Sequence, residues 1–240
     1  MIEKIKKIIQ KQQFNPGFLG IFVNPFYFVR YELYSHISSL SKELNGKTLD
    51  IGCGVKPYRE LFTAVKEYVG MEFDSEENRK VSGVDIFYNG KHFPFKDREF
   101  DSVIFTQVLE HIFNPDEFLS EVNRVLKIGG RVLITVPFLW DEHAQPYDYA
   151  RYSSFGLKHL LESHNLKIIK NYKTLSDIRV IFQLINCYLY KILPVKNYRI
   201  RLCLYVILFS PFTVVGILLS FILPKNQDLY MDNIILAEKL

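Results

Sequence analysis

The sequence predicts an α/β protein: a doubly wound, mostly parallel sheet with an N-terminal helical segment and a hydrophobic helical insertion before its last strand. Three observations carry that expectation. From Lys47 onward, short β-rich runs alternate with helical ones, the pattern of strands joined through crossover helices. A glycine-bearing turn, "LDIGCGVKPYRELF" (Leu49 to Phe62), follows the first of those runs. Last, "LCLYVILFSPFTVVGILLSFIL" (Leu202 to Leu223) carries no charge and stands ahead of a final strand-like segment, "MDNIILAEKL".

At the start, "MIEKIKKIIQKQQF" sets Ile2, Ile5, Ile8 and Ile9 between lysines. That is amphipathic helical spacing without the continuous apolar stretch of a secretory signal, so no cleaved leader is expected. The aromatic stretch "FLGIFVNPFYFVRYELY" follows and is suited to an interfacial surface. Strands are predicted at Lys47 to Ile51, Tyr68 to Phe73, Val84 to Tyr88, Ser102 to Thr106, Arg131 to Val136 and Leu166 to Tyr172, with helices between most of them. The clearest helix is "NPDEFLSEVNRVLKIGG". Asn114 is its expected cap, Pro115 its first residue, Asp116 and Glu117 favour its positive end, and Gly129 is its expected terminator. Phe118, Leu119, Val122, Val125 and Leu126 form its apolar stripe. The expected organisation is a helical segment over 1–44, a sheet domain over 45–177 and 226–240, and a hydrophobic insertion over 178–225.

The uncharged run exceeds the ~18 residues that suggest a membrane span. Pro211 is expected to break it near its middle, and the final strand has to return to the sheet. The favoured reading is a hairpin lying in or dipping into one leaflet, with Lys191, Lys196, Arg199, Arg201 and Lys225 meeting headgroups. Packing in a core or a homodimer is the alternative.

With 240 residues, 48% of them hydrophobic, the chain can bury one substantial core and a small appendage. A net charge of +4 and a pI near 8.8 are too mild to argue for nucleic acid. Cys53, Cys187 and Cys203 lie far apart without CxxC spacing, which argues against a disulfide framework and a cysteine zinc site. The expected location is a reduced cytoplasm, at the inner face of the cell membrane, and no metal ligand set is read from the sequence.

A glycine pair just after a first strand lets the backbone approach a ligand closely, as nucleotide-type pockets require. A dinucleotide fingerprint needs G-x-G-x-x-G, whereas here Gly52-Cys53-Gly54 is followed by Val55, Lys56 and Pro57. That weakens a nicotinamide-dependent oxidoreductase. Asp50, immediately before the turn, suits a cationic ligand better than a phosphate.

The D-x-G-x-G here resembles the first motif of the class I S-adenosylmethionine-dependent methyltransferases, of the type 11-like group. The resemblance covers roughly Asn45 to Tyr172 and implies a Rossmann-like sheet and S-adenosyl-L-methionine as cofactor. The second strand ends "GMEFD", and Glu72 stands where this family's acidic residue holds the ribose hydroxyls. "NGKHFPFKDREFDSVIFTQVLEHIFNP" resembles the adenine-side loop, fourth strand and following turn, with Asn89 where relatives usually carry aspartate. The cofactor site it implies is Asp50, Gly52, Cys53, Gly54, Glu72, Asn89, Gly90 and Gln107. Cys53 reads as a small packing residue, since no activating base stands near it in sequence, and Phe93 and Phe95 as walls or core.

In this fold an acceptor faces the ends of the fourth and fifth strands. The stretch after the fifth, "VPFLWDEHAQPYDYARYSSFG", is dense in aromatic and titratable side chains. His143 is the preferred general base, because histidine's ordinary pKa lies nearest neutrality, and His111 comes second. Trp140, Tyr147, Asp148, Tyr149 and Arg151 are the expected acceptor-binding residues, with a structural Asp148–Arg151 ion pair as the competing role for the arginine. No Asn/Asp-Pro-Pro-aromatic stretch follows the fourth strand, which argues against amino-methylation of bases. O-methylation of a glycan, lipid-linked saccharide or other membrane-proximal small molecule is expected. C-methylation of a quinone-like lipid, or a non-catalytic cofactor-binding regulatory role, are the alternatives.

Overall fold

The structure, a computed structural model, describes residues 9–240; the pattern at Ile2, Ile5 and Ile8 lies outside the described residues. The chain divides into a sheet unit of residues 36–138, 142–172 and 232–240, and a helical unit of 1–35, 139–141 and 173–231.

The sheet unit contains β1 (Gly46–Ile51), β2 (Val65–Phe73), β3 (Ile86–Tyr88), β4 (Phe100–Thr106), β5 (Leu126–Pro137), β6 (Leu166–Lys173) and β7 (Asp232–Lys239). They lie in the order β3-β2-β1-β4-β5-β7-β6. β1 runs parallel to β2 and β4, β2 to β3 and β4 to β5, while β7 is antiparallel to β5. Leu49, Ile51, Val103, Phe105, Val132 and Ile134 are fully buried, which is why these strands read as apolar runs in the sequence. The chain leaves β1 toward β2 and β3 on one side and takes up β4 and β5 on the other. In open α/β sheets such a reversal is where ligands bind, here at the carboxyl ends of β1 and β4.

Between β1 and β2, where Pro57 reads as opening a crossover helix, the structure has none. Only a 3-10 turn, Arg59–Leu61, follows Pro57, and β2 starts early, at Val65, leaving no length for a helix. Another 3-10 turn, Asn78–Lys80, serves between β2 and β3.

Helix α1 (Tyr27–Leu40) precedes β1, α2 (Pro115–Val125) joins β4 to β5, and α3 (Ser154–Glu162) joins β5 to β6. On α2, Phe118, Leu119, Val122 and Val125 are buried, the stripe the spacing predicts. Asn114 makes no side-chain cap, and the helix ends at Val125, because Leu126 is extended (ψ 137) and already pairs with Phe100. Gly129, at φ 72, lies where the ladder shifts before resuming at Ser102↔Arg131. Its left-handed turn belongs to a strand irregularity and does not end the helix. Ser153 caps α3 by accepting from the Gly156 N–H.

In the helical unit, α4 (Arg179–Ile192) is followed by α5 (Tyr198–Leu204), a π-helical turn (Tyr205–Phe209) and α6 (Ser210–Ser220). The last three form one helix of 23 residues, so Pro211 does not break it. The Ser210 N–H reaches the Tyr205 carbonyl and its hydroxyl donates to the Val206 carbonyl at 2.6 Å, so the π turn absorbs the proline. α6 packs on α4 in antiparallel fashion. Asn186 Nδ2 donates to Thr213 Oγ1 at 3.1 Å, and a Cβ at Gly216 would stand 3.1 Å from Phe182. On the other side Ile207, Leu218, Phe221 and Ile222 are exposed.

Candidate active site

The turn after β1 is held against β2. The Gly52 and Cys53 N–H groups both donate to the Met71 carbonyl, at 2.9 and 3.2 Å. Gly52 (φ 65) and Gly54 (φ 47) are both left-handed, which glycine adopts without a Cβ penalty. Their surroundings differ. A Cβ on Gly52 would stand 2.5 Å from Val108 Cγ2, so this glycine lets the turn after β4 close in; the space a side chain would enter there is Val108's. A Cβ on Gly54 would meet nothing within 4 Å, leaving bare backbone facing open space.

Asp50 is 5% exposed and accepts from the Tyr68 hydroxyl at 2.6 Å. Burial pushes its carboxyl up to about 7, against the lowering effects of Tyr68 and Lys56. A cation entering beside it would offset that desolvation. Glu72 Oε2 accepts from the Gly54 N–H (3.0 Å), and Oε1 accepts from the Phe73 N–H (3.0 Å) and Asn78 Nδ2 (3.3 Å). This pins the carboxylate at the turn, and its four lone-pair sites leave capacity for a further donor. Burial pushes the Cys53 thiol up to about 12, in keeping with packing and not with nucleophilic chemistry. Asn89 turns its Oδ1 inward to the Lys91 and His92 N–H groups, at 3.0 and 3.3 Å, and so organises the turn at Gly90 (φ 83). Phe93 is core, edge-on to Tyr88 and Phe118. Together with Phe95 it lines a cleft of about 470 Å³ reaching Lys47 and Glu67 near the starts of β1 and β2, the end opposite to Asp50 and Glu72.

At the end of β4, Gln107 adopts φ 56, and its Nε2 donates to Thr135 Oγ1 and Asp232 Oδ1, both at 3.2 Å. Gln107 therefore ties together the ends of β4, β5 and β7. Beyond it, the 3-10 turn Leu109–His111 is clasped by the segment after β5, because the Glu110 carbonyl accepts from the Tyr149 and Ala150 N–H groups. His111 Nδ1 is 2.8 Å from the Tyr147 carbonyl, and its ring meets that of His143 edge-on at 4.8 Å. Burial lowers the His111 pKa, holding its imidazole neutral. Asp148 Oδ2 accepts from the His143 N–H at 2.9 Å and lies 3.4 Å from His143 Nδ1. Arg151 grips Asp148 in a two-pronged pair, both contacts 2.6 Å, which holds that carboxyl down at about 2. The ion pair weighed from the sequence is thus formed, and Arg151 spends two donors on it. Tyr149 packs edge-on against Phe113 and stays half-exposed, Tyr147 is exposed, and Trp140 belongs to the helical unit, its ring 5.7 Å from Phe26.

Sequence reasoning missed Tyr68, Glu110 as a buried group, and Asp232. Glu110 is fully buried with no hydrogen-bond partner for either carboxylate oxygen, and burial pushes it up to about 8. Asp232 and Asn233 had a signal: two adjacent polar residues opening the otherwise apolar run Ile234 to Ala237, and both are buried.

Residues 49–134 match the family model described as a methyltransferase domain. A probable S-adenosylmethionine-dependent methyltransferase of Mycolicibacterium smegmatis is 33% identical over 95 residues, covering 37% of each chain. An uncharacterized protein of Methanocaldococcus jannaschii is 32% identical over 104 residues, 42% of this chain and 50% of that one. The chain spans about half the length of the first curated relatives it matches. Among solved structures, phosphoethanolamine N-methyltransferase 2 of Haemonchus contortus in complex with S-adenosyl-L-methionine shares the fold at TM-score 0.56 and 18% identity, over 92% of this chain and 56% of that one. The open backbone at Gly54, the buried Asp50 and the pinned Glu72 suit that cofactor's cationic group and ribose hydroxyls. Residues 49–134 thus match a methyltransferase domain, within a sheet whose fold is shared with solved methyltransferases.

Proposed function

We propose that this chain methylates an oxygen of a membrane-proximal small molecule, a glycan or lipid-linked saccharide being the class that fits best. The carrying observation is adjacency in the fold: a bare, left-handed turn beside a buried carboxylate ends β1, and a pair of imidazoles packed edge-on stands beyond the end of the neighbouring β4. The bound cofactor supplies a methyl group on a sulfonium, which leaves readily, so the protein's part is alignment and removal of one proton. Asp50 favours the cationic ligand, Glu72 accepts from its ribose hydroxyls, and Gly54 leaves room for it. His143, oriented by Asp148, takes the proton of an acceptor hydroxyl; His111, fixed on the Tyr147 carbonyl, organises the space opposite. Tyr147 and Tyr149 offer exposed ring surface for a sugar or ring acceptor.

The helical unit supports attachment to a membrane from the cytoplasmic side without crossing it. Ile207, Phe221 and Ile222 are 75%, 82% and 75% exposed, an unusual load of bare apolar surface. Lys191, Lys196 and Arg201 line a cleft of about 370 Å³ at the N-terminal end of the 23-residue helix, suited to anionic headgroups. α4, packed along α6, has 14 residues, or roughly 21 Å of helix, short of the ~30 Å hydrocarbon core.

The test is to incubate the full chain with radiolabelled S-adenosyl-L-methionine and with membrane and soluble fractions of its source, then to identify the labelled product. Label in a base-stable methyl ether, or a base-labile methyl ester, of a membrane lipid or glycan supports the reading. Label on ring carbon favours the C-methylase, and no label above a control without the protein leaves only a non-catalytic role.

A further inference from the structure

We propose that Glu110, His111 and His143 form a binding site for a divalent transition-metal cation of the zinc or iron(II) class. Their ligand atoms lie within 4.8 Å of one another, and Glu110 Oε1 is 3.9 Å from His111 Nε2. All three belong to the sheet unit.

Glu110 is the residue that most needs a partner. It is 0% exposed, and neither oxygen has a hydrogen-bond partner. A carboxylate taken out of water without a donor is among the costliest groups a fold can hold, and protonating it leaves an unpaired O–H in the same place. A cation held between Glu110 and the two imidazoles gives the orphaned oxygens a partner.

The surroundings match what metal-bound histidines require. Ligating histidines characteristically engage their other ring nitrogen with a backbone carbonyl or a carboxylate, which fixes tautomer and ring orientation. His111 Nδ1 is so placed on the Tyr147 carbonyl at 2.8 Å, leaving Nε2 on the side of Glu110. His143 Nδ1 faces Asp148 Oδ2 at 3.4 Å, and Asp148 is itself clamped by Arg151. The Glu110 carbonyl, bonded to the Tyr149 and Ala150 N–H groups, locks the two ligand-bearing segments together.

Two imidazoles and a carboxylate favour zinc, iron or a neighbouring ion over magnesium or calcium, which prefer all-oxygen shells. Three protein ligands leave coordination positions open for water or an acceptor oxygen. Glu110, His111 and His143 would hold the ion, which would supply Lewis acidity toward an acceptor oxygen; without it, His143 is free to serve as the proton acceptor. Binding of the ion does not depend on the methyl-transfer reading.

The experiment is calorimetric titration of the chelator-treated full chain with Zn²⁺, and separately Co²⁺ followed by visible absorption, both without cofactor. One equivalent is expected to bind, with a Co²⁺ spectrum of nitrogen and oxygen ligation. Glu110→Gln and His143→Ala should each weaken it at least ~10-fold, the lower end of losses seen on disturbing even the outer shell of metal sites. His164→Ala, outside the cluster, should leave it unchanged. Glu110→Gln keeps the shape and volume of the buried side chain and cannot ionise, so it should fold about as well as the parent, while His143→Ala alters a partly exposed residue, so one folded ligand variant is available. Absence of saturable binding by the parent at ~100 µM metal, or equal binding by both ligand variants, overturns the site.

Discussion

Asp50→Asn should flatten the pH dependence of the sheet unit's stability. In the folded protein burial raises the Asp50 carboxyl from 3.8 to about 7, so between those values the folded state holds a proton that the unfolded chain has released. Stability from this group is fully present below pH ~4 and is lost as pH rises through about 7. The shift of roughly three units corresponds to about 4 kcal/mol at about 1.4 kcal/mol per unit. Asparagine keeps an oxygen to accept from the Tyr68 hydroxyl and cannot ionise, so the substitution isolates the charge. Urea unfolding of parent and variant followed by far-UV circular dichroism at pH values from 4 to 8 measures it. The parent should lose stability relative to the variant by several kcal/mol across that range. S-adenosyl-L-methionine should bind the parent more tightly as pH rises through 7, and this dependence should vanish in the variant. Parallel stability curves for the two proteins would refute the burial argument.

Gly52→Val should abolish thermal stabilisation by the cofactor, because a branched side chain is strained at φ 65 and would drive into Val108; a preserved shift in melting temperature contradicts this. His143→Ala should leave cofactor affinity intact and lower single-turnover methyl transfer by about 10²-fold or more, and unchanged turnover removes His143 from the chemistry. Arg151→Leu should cost about 3–5 kcal/mol in unfolding experiments, since it strands the Asp148 carboxylate that it grips, whereas an anion-binding surface arginine would cost almost nothing. Replacing Ile207, Phe221 and Ile222 together with serine should abolish flotation with anionic vesicles while leaving cofactor binding unchanged; undiminished flotation, or loss of a dimer in its place, argues against the lipid surface.

The strands were legible because buried parallel strands leave short, β-branched apolar runs bounded by turn residues. Their joints were not. Pro57 and Arg59 to Leu61 carry helix-opening chemistry, but the early start of β2 at Val65 leaves room for one 3-10 turn only. Gly129 marks a left-handed backbone correctly and its context wrongly, since strand pairing at Leu126 had already ended the helix. Pro211 reads as a helix breaker, yet a π turn and the Ser210 hydroxyl accommodate it. At the site, the turn at Gly52 and Gly54 showed itself because left-handed backbone restricts residue choice. Glu110 did not: a Glu-His pair after a strand looks solvated, and only the clasp by Tyr149 and Ala150 reveals that it is buried. His111 and His143, distant in sequence, meet because β4 and β5 are neighbours in the sheet.

The most direct test of the central claim is equilibrium binding of radiolabelled S-adenosyl-L-methionine to the purified full chain, with competitors. One saturable site is expected, displaced by S-adenosyl-L-homocysteine, indifferent to a nicotinamide dinucleotide, and lost in Gly52→Val. No saturable binding by a folded parent protein, or displacement by the dinucleotide instead, would contradict the account.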